Sequence, residues 1–216
     1  MKKAFVFDMD GVIVDSEKYY HKQRLNFLHR QGLEPSVSDL KNYVGASFEA
    51  GWKMMVPDES LWDRLLPKFH QYSDDHAINY AEYVHKHVGD FLRTLKKNNF
   101  TVTLASAGGI GLIEQMLDQC HFRAYFDAVL SGEEVANNKP APDIYLESVR
   151  KIGLKPEQCV ALEDSILGIQ AAKTAGLETW ALKYPEYQID QSQADHVFNG
   201  FGEVIDYFDK NTAKLE

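Results

Sequence analysis

Cysteine is nearly absent from this chain, and the little there is forms no pattern. Only Cys120 and Cys159 occur in 216 residues, and neither falls in a CxxC or Cys/His spacing, so a disulfide framework and a thiolate metal site are excluded. Cys159 opens an apolar run and is expected to act there as a small hydrophobe. Positive charge is also short: 23 Lys and Arg stand against 32 Asp and Glu, a net charge of −9. With no basic block, neither nucleic acid nor an anionic membrane has electrostatic support as a partner. Long apolar runs are missing too. The N-terminal one is broken by Asp8, which makes it too short for a membrane span and unlike a secretory signal. An apolar content of 44% with 25% charged residues is ordinary for a folded domain. A cytoplasmic protein, monomeric by default, is expected.

What the chain does have is concentrated near its start. Ala4-Phe5-Val6-Phe7 has the length and β-branched or aromatic content of a buried strand, and Asp8-Met9-Asp10-Gly11-Val12 follows at once. Two neighbouring carboxylates repel unless a cation or hydrogen-bond donors hold them, so the pair points to a hard divalent metal with oxygen ligands. Gly11 permits a sharp reversal just after the acids. The simpler reading is a turn, since Asp and Gly are turn formers. A helix-loop-helix calcium site fails, because its fifth and twelfth positions would be Val12 and Tyr19 and a strand stands where a helix should precede it.

Further apolar runs predict strands over 4–8, 101–106, 128–131, 159–163, 178–182 and 195–198. Helical patterns lie among them over 89–98, 110–120, 142–152, 165–175 and 202–208. The alternation predicts an α/β fold, a three-layer Rossmann-like parallel sheet whose strand C-termini share one edge. Residues 16–85 break the rhythm: they are rich in aromatics and charged helix formers and hold no convincing strand. A segment of about 70 residues is too long for a plain loop. It is expected to be an all-helical cap inserted after the first strand, hung over the edge where Asp8 and Asp10 lie, leaving 1–15 and 86–216 as the catalytic core.

Three later signals are each ambiguous alone. Ser106-Ala107-Gly108-Gly109 ends a strand before a helix, where a hydroxyl, backbone N–H groups and the helix N-terminus can cradle a phosphate, although Ser and Gly there are also ordinary caps. Lys139 sits in Asn138-Lys139-Pro140-Ala141-Pro142, either as a solvated surface lysine or as a fixed charge facing clustered carboxylates. Glu163-Asp164-Ser165 ends another strand, as a helix cap or as the second acidic half of a metal site.

Taken in this order, Asp8-Met9-Asp10-Gly11-Val12, Ser106, Lys139-Pro140 and Glu163-Asp164 resemble the four motifs of the haloacid dehalogenase superfamily, and the helical insertion resembles its cap. Within it the chain is most similar to the β-phosphoglucomutase-like branch, through Asp15-Ser16-Glu17, Lys139-Pro140-Ala141-Pro142 and Glu163-Asp164-Ser165-Ile166-Leu167-Gly168-Ile169. The resemblance implies that Asp8 is the nucleophile, forming an aspartyl-phosphate, and that Asp10 is the general acid and base. It implies Mg²⁺ as cofactor, with Asp8, Asp10 (through its backbone carbonyl), Asp164 and Glu163 as metal residues, Glu163 standing behind the direct ligands. Ser106, Ala107 and Lys139 would bind the substrate phosphate. In this superfamily an acid at the place of Asp10 marks phosphate-ester chemistry rather than dehalogenation.

The substrate expected is a small phosphorylated metabolite, most simply a sugar phosphate, cleaved by hydrolysis. A mutase of the β-phosphoglucomutase type would carry a cap arginine where Val44-Gly45-Ala46-Ser47-Phe48-Glu49 puts Phe48, and a lysine and an asparagine after Ser106 that are missing here. A phenyl ring cannot replace a bidentate guanidinium. Phosphomutase is therefore the alternative, and a catalytically idle binding domain a second one. His21, Lys22, Arg24 and Lys53 are candidate cap contacts; Tyr19, Tyr20, Phe48, Trp52 and Trp62 are read as cap core.

Overall fold

The computed structural model describes residues 1–43, 48–184 and 189–215. The chain divides into two compact units, Met1–Asp15 with Tyr80–Glu216 and Ser16–Asn79.

The first unit is built on six parallel strands, β1 (Ala4–Phe7), β2 (Thr101–Ser106), β3 (Ala128–Ser131), β4 (Cys159–Glu163), β5 (Glu178–Leu182) and β6 (His196–Phe198). Their order is β3-β2-β1-β4-β5-β6. All four residues of β1 are fully buried, as a strand covered on both faces must be. Its side chains alternate. Ala4 and Val6 pack with Ile144, Tyr145 and Val149 of α6 (Asp143–Lys151) and with Ala171 and Ala172 of α7 (Ile166–Thr174). Phe5 and Phe7 turn the other way, edge-on or tilted against Phe91 of α4 (Val88–Lys97), and Phe5 also meets Phe208 of α8 (Phe201–Leu215). Between β2 and β3 runs α5 (Ile110–Gln119).

This order places β1 between two chain directions: β2 and β3 lie to one side, and β4 to β6 are added on the other. The crevice of such a sheet opens at the C-terminal ends of the strands flanking the reversal, here β1 and β4. Phe7 is in register with Leu162, so Asp8, the first residue after β1, comes beside Glu163, the last residue of β4.

The second unit comprises α1 (Glu17–Arg30), α2 (Phe48–Met55) and α3 (Trp62–Asp75) with short 3₁₀ turns. It has a core of its own in Phe27, Leu28, Tyr43, Trp52, Met55, Val56, Leu65 and Phe69. Trp52 is fully buried there, whereas Phe48 is 39% exposed. Residues 80–85, expected with the insertion, belong to the first unit. The physical reason is pairing: Asp15 N–H donates to Tyr83 C=O at 2.8 Å, His85 N–H to Ile13 C=O at 3.0 Å, and the Tyr80 N–H to Gln119 Oε1 at 2.7 Å.

Candidate active site

Asp8 leaves β1 with its N–H still donating to Leu162 C=O at 3.0 Å, so its backbone is held by the sheet. The chain then folds back on itself: Gly11 N–H reaches Val14 C=O at 2.8 Å and Ile13 N–H reaches Met9 C=O at 2.8 Å. Gly11 adopts φ +77°, and a Cβ there would fall 2.0 Å from Asp164 Oδ2. The expected reversal is thus present, and it has a second purpose, which is to admit Asp164. Gly11→Ala should meet both the left-handed penalty of about 1–2 kcal/mol and a displaced Asp164; we expect half-saturation by a divalent cation to move at least about tenfold upward in a metal titration of activity.

Asp8, Glu163 and Asp164 offer carboxylate oxygens that all lie within 4.8 Å of one another, and all three residues are buried. Lys139 enters this cluster with a side chain only 8% exposed, its Nζ 2.8 Å from Asp8 Oδ1 and 2.6 Å from Glu163 Oε1. The turn carrying it contains a cis Lys139-Pro140 bond. Gly132 lets that turn approach the loop after β2, since a Cβ at 132 would meet Asn138 Oδ1 at 2.4 Å and Ala107 C=O at 2.6 Å.

Electrostatics set the two sides apart. Burial pushes the Asp8 carboxyl up to about 7, Lys139 pulls it back, and Glu163 and Asp10 push it further. Burial alone would depress the Lys139 ammonium, but Asp8 and Glu163 outweigh it and hold it above its usual value. One lysine therefore does not neutralise the cluster. A hard divalent cation among oxygen donors fits that residual negative charge, and Asp8 and Asp164 could hold one.

Glu163 has other work. Its Oε1 accepts from Lys139 and from the Tyr145 hydroxyl, and its Oε2 accepts from the Asp164 N–H at 3.1 Å and the Ser165 hydroxyl at 3.3 Å. With both oxygens engaged by protein donors, Glu163 acts as the counter-ion of Lys139. Gly168, one turn into α7, makes room for it.

Ser106 is buried at the end of β2, where its Oγ accepts from Gly108 N–H at 3.1 Å. Ala107 is exposed just beyond. The helix behind them is not open at its end as expected: the Ile110 N–H already donates to Glu133 Oε2 at 3.1 Å, so a carboxylate caps α5 at that amide. Asp10 is half-buried beside Asp8.

Sequence reasoning missed Tyr145, which reads only as a core aromatic in a helical pattern. It also missed Gln191, whose buried side-chain amide donates to the backbone C=O of Asp164 at 2.5 Å and of Leu182 at 2.8 Å; a loop glutamine carries no spacing signal. In the second unit His21 is buried with its Nε2 2.8 Å from Ser38 C=O, and Lys53 is exposed and paired with Glu59. Lys22 is exposed, and Tyr19 and Tyr20 are half-buried. The Arg24 guanidinium lies 5.5 Å over the Phe48 ring, so an arginine does stand beside Phe48, supplied by α1. Residues 44–47 of the stretch compared with mutases lie outside the described residues.

A sequence profile of the haloacid dehalogenase-like hydrolases matches residues 5–182. The chain belongs to this family. Hexitol phosphatase B of Escherichia coli K12 is 31% identical over 87% of this chain and 86% of its own length. A fructose-1-phosphate phosphatase of the same strain is 28% identical over 81% of this chain and 93% of its own. Among solved structures, β-phosphoglucomutase from Clostridium difficile superposes with a TM-score of 0.78, covering 99% of this chain and 98% of that one at 22% identity, a likeness of fold. This haloacid dehalogenase-like hydrolase has no helix, among its described residues, long and apolar enough to cross a membrane.

Proposed function

We propose that this haloacid dehalogenase-like hydrolase is a Mg²⁺-dependent, cytoplasmic phosphatase that releases inorganic phosphate from a small sugar or polyol phosphate. The observation that carries this reading is the buried Asp8 carboxylate held 2.8 Å from Lys139 with Asp164 and Glu163 oxygens within 4.8 Å, at the mouth of the sheet. The names of the phosphatase relatives support the substrate class.

In the first step Asp8 Oδ attacks phosphorus, the P–O ester bond breaks, and Asp10 gives its proton to the departing oxygen. In the second step Asp10 takes a proton from water, whose oxygen attacks phosphorus while the Asp8–phosphorus bond breaks. Lys139, Ser106 and the Ala107 backbone face the non-bridging oxygens and offset their charge. Mg²⁺ held by Asp8 and Asp164 would supply the charge that lets a carboxylate anion approach a phosphate anion. The helical unit is assigned to choosing the substrate.

The test is phosphate release from a panel of hexitol and hexose phosphates, with and without chelator. Turnover that stops with chelator and returns with Mg²⁺ is expected; no turnover on any member overturns the reading. A phosphomutase is kept as a second reading because Arg24 stands over Phe48. Incubation with β-glucose 1-phosphate and glucose 1,6-bisphosphate decides it, and rapid appearance of glucose 6-phosphate would favour the mutase.

A further inference from the structure

Tyr145 projects from the first turns of α6 into the interior below the site and is fully buried. Its hydroxyl donates to Glu163 Oε1 at 2.5 Å, the oxygen that also accepts from Lys139 Nζ at 2.6 Å. Its ring holds the same ammonium from another direction, 5.3 Å from the ring centroid. Burial and the charge of Glu163 keep the phenol protonated, and therefore a donor. One side chain thus touches both members of the ion pair, once through its edge and once through its face.

We propose that Tyr145 is a positioning residue: by fixing Glu163 and cradling Lys139 it sets where the lysine ammonium stands beside Asp8. The inference rests on the phosphatase reading above. A buried lysine on a four-carbon stem is a mobile point charge unless its surroundings define its place. Asp8 alone cannot define it, because Asp8 must itself form and break a bond to phosphorus. Glu163 can, provided that it does not turn toward the metal, and three sets of donors hold it back: Lys139, Tyr145 and the Asp164–Ser165 backbone and hydroxyl. Removing the phenol hydroxyl leaves Lys139 as the sole partner of Glu163 Oε1 among the described residues, so the pair can draw together and away from Asp8.

Tyr145→Phe keeps the ring, its volume and the face contact, and tests the hydroxyl alone. We expect kcat to fall about ten- to a hundredfold, the inhibition constant of inorganic phosphate to rise several-fold, and Tm to stay within about 3 °C of the parent. In a Lys139→Met background the same substitution should change kcat less than twofold, because the lysine through which it acts is gone. A Tyr145→Phe variant with kcat and the phosphate inhibition constant both within twofold of the parent overturns the proposal, as does a lowered Tm with unchanged kinetics. Equal kcat losses with and without Lys139 would also overturn it. An inactive parent would instead sink the phosphatase reading, so the two failures are told apart by the first assay.

Discussion

Asp8→Asn should lose turnover by at least about 10⁴-fold in kcat and yet become more stable when metal is withheld. The activity loss follows from chemistry: asparagine matches the shape of aspartate but has no anion to attack phosphorus. The stability gain follows from crowding. Asp8 shares its pocket with Glu163, Asp164 and Asp10, and the pocket raises it from an ordinary 3.8 to about 7, burial being the largest cause. A carboxyl raised on folding costs nothing below its unfolded value. It opposes folding increasingly as pH climbs from about 4 to 7, on the order of 4 kcal/mol above that range at most. Losing one of the partners of Lys139 returns part of this, which leaves a net gain of about 2 kcal/mol, or roughly 4–8 °C in Tm. Calorimetry with chelator should show the variant melting above the parent at pH 8 and level with it at pH 4. A variant that retains more than about one part in a hundred of kcat, or melts below the parent at pH 8, contradicts this account.

That opposition between activity and stability was partly legible in the chain itself. Two acids after Phe7 announce mutual repulsion, and the apolar runs give all six strands to within one residue. What spacing could not supply was the division of labour between the second pair of acids. Glu163 and Asp164 are neighbours in sequence and equivalent as ligands on paper, but successive residues off a strand point apart. Glu163 turns to Lys139 and Tyr145, while Asp164 is admitted beside Gly11. Tyr145 and Gln191 were invisible for the same reason, since each acts through a contact far along the chain. The β6 strand begins at His196, one residue after the expected start, although Asp195 N–H still donates to Thr179 C=O at 2.8 Å and its side chain accepts from Thr179 N–H and from Lys173, each at 2.7 Å. The α8 helix runs on past Phe208 to Leu215, where apolar periodicity thins and gives no signal. The inserted segment betrayed its helical class by composition, whereas its end depended on backbone pairing of 13–15 with 83–85, which composition does not encode.

The sharpest test of this packing is a substitution that ordinarily helps. Gly→Ala within a helix usually stabilises by about 0.5–1 kcal/mol. At Gly168, in the first turn of α7, a Cβ would lie 1.9, 2.0 and 2.1 Å from Glu163 Oε1, Cδ and Oε2. The carboxylate has nowhere to yield, being fixed by Lys139 and Tyr145 on one oxygen and by Asp164 N–H on the other. Either the helix start moves, taking the Ser165 cap on Gly168 N–H with it, or Glu163 leaves Lys139 and a buried charge loses its partner. The second outcome costs about 3–5 kcal/mol, and an overpacked helix start about 1–3. Gly168→Ala should therefore lower Tm by about 10 °C and depress kcat together with it, because Lys139 loses its anchor. Gly111 in α5 is the matched control: a Cβ there meets nothing within 4 Å, so Gly111→Ala should leave Tm level or slightly raised. If the two alanine variants melt alike, Glu163 does not occupy the space that Gly168 leaves, and the anchoring of Lys139 must be found elsewhere.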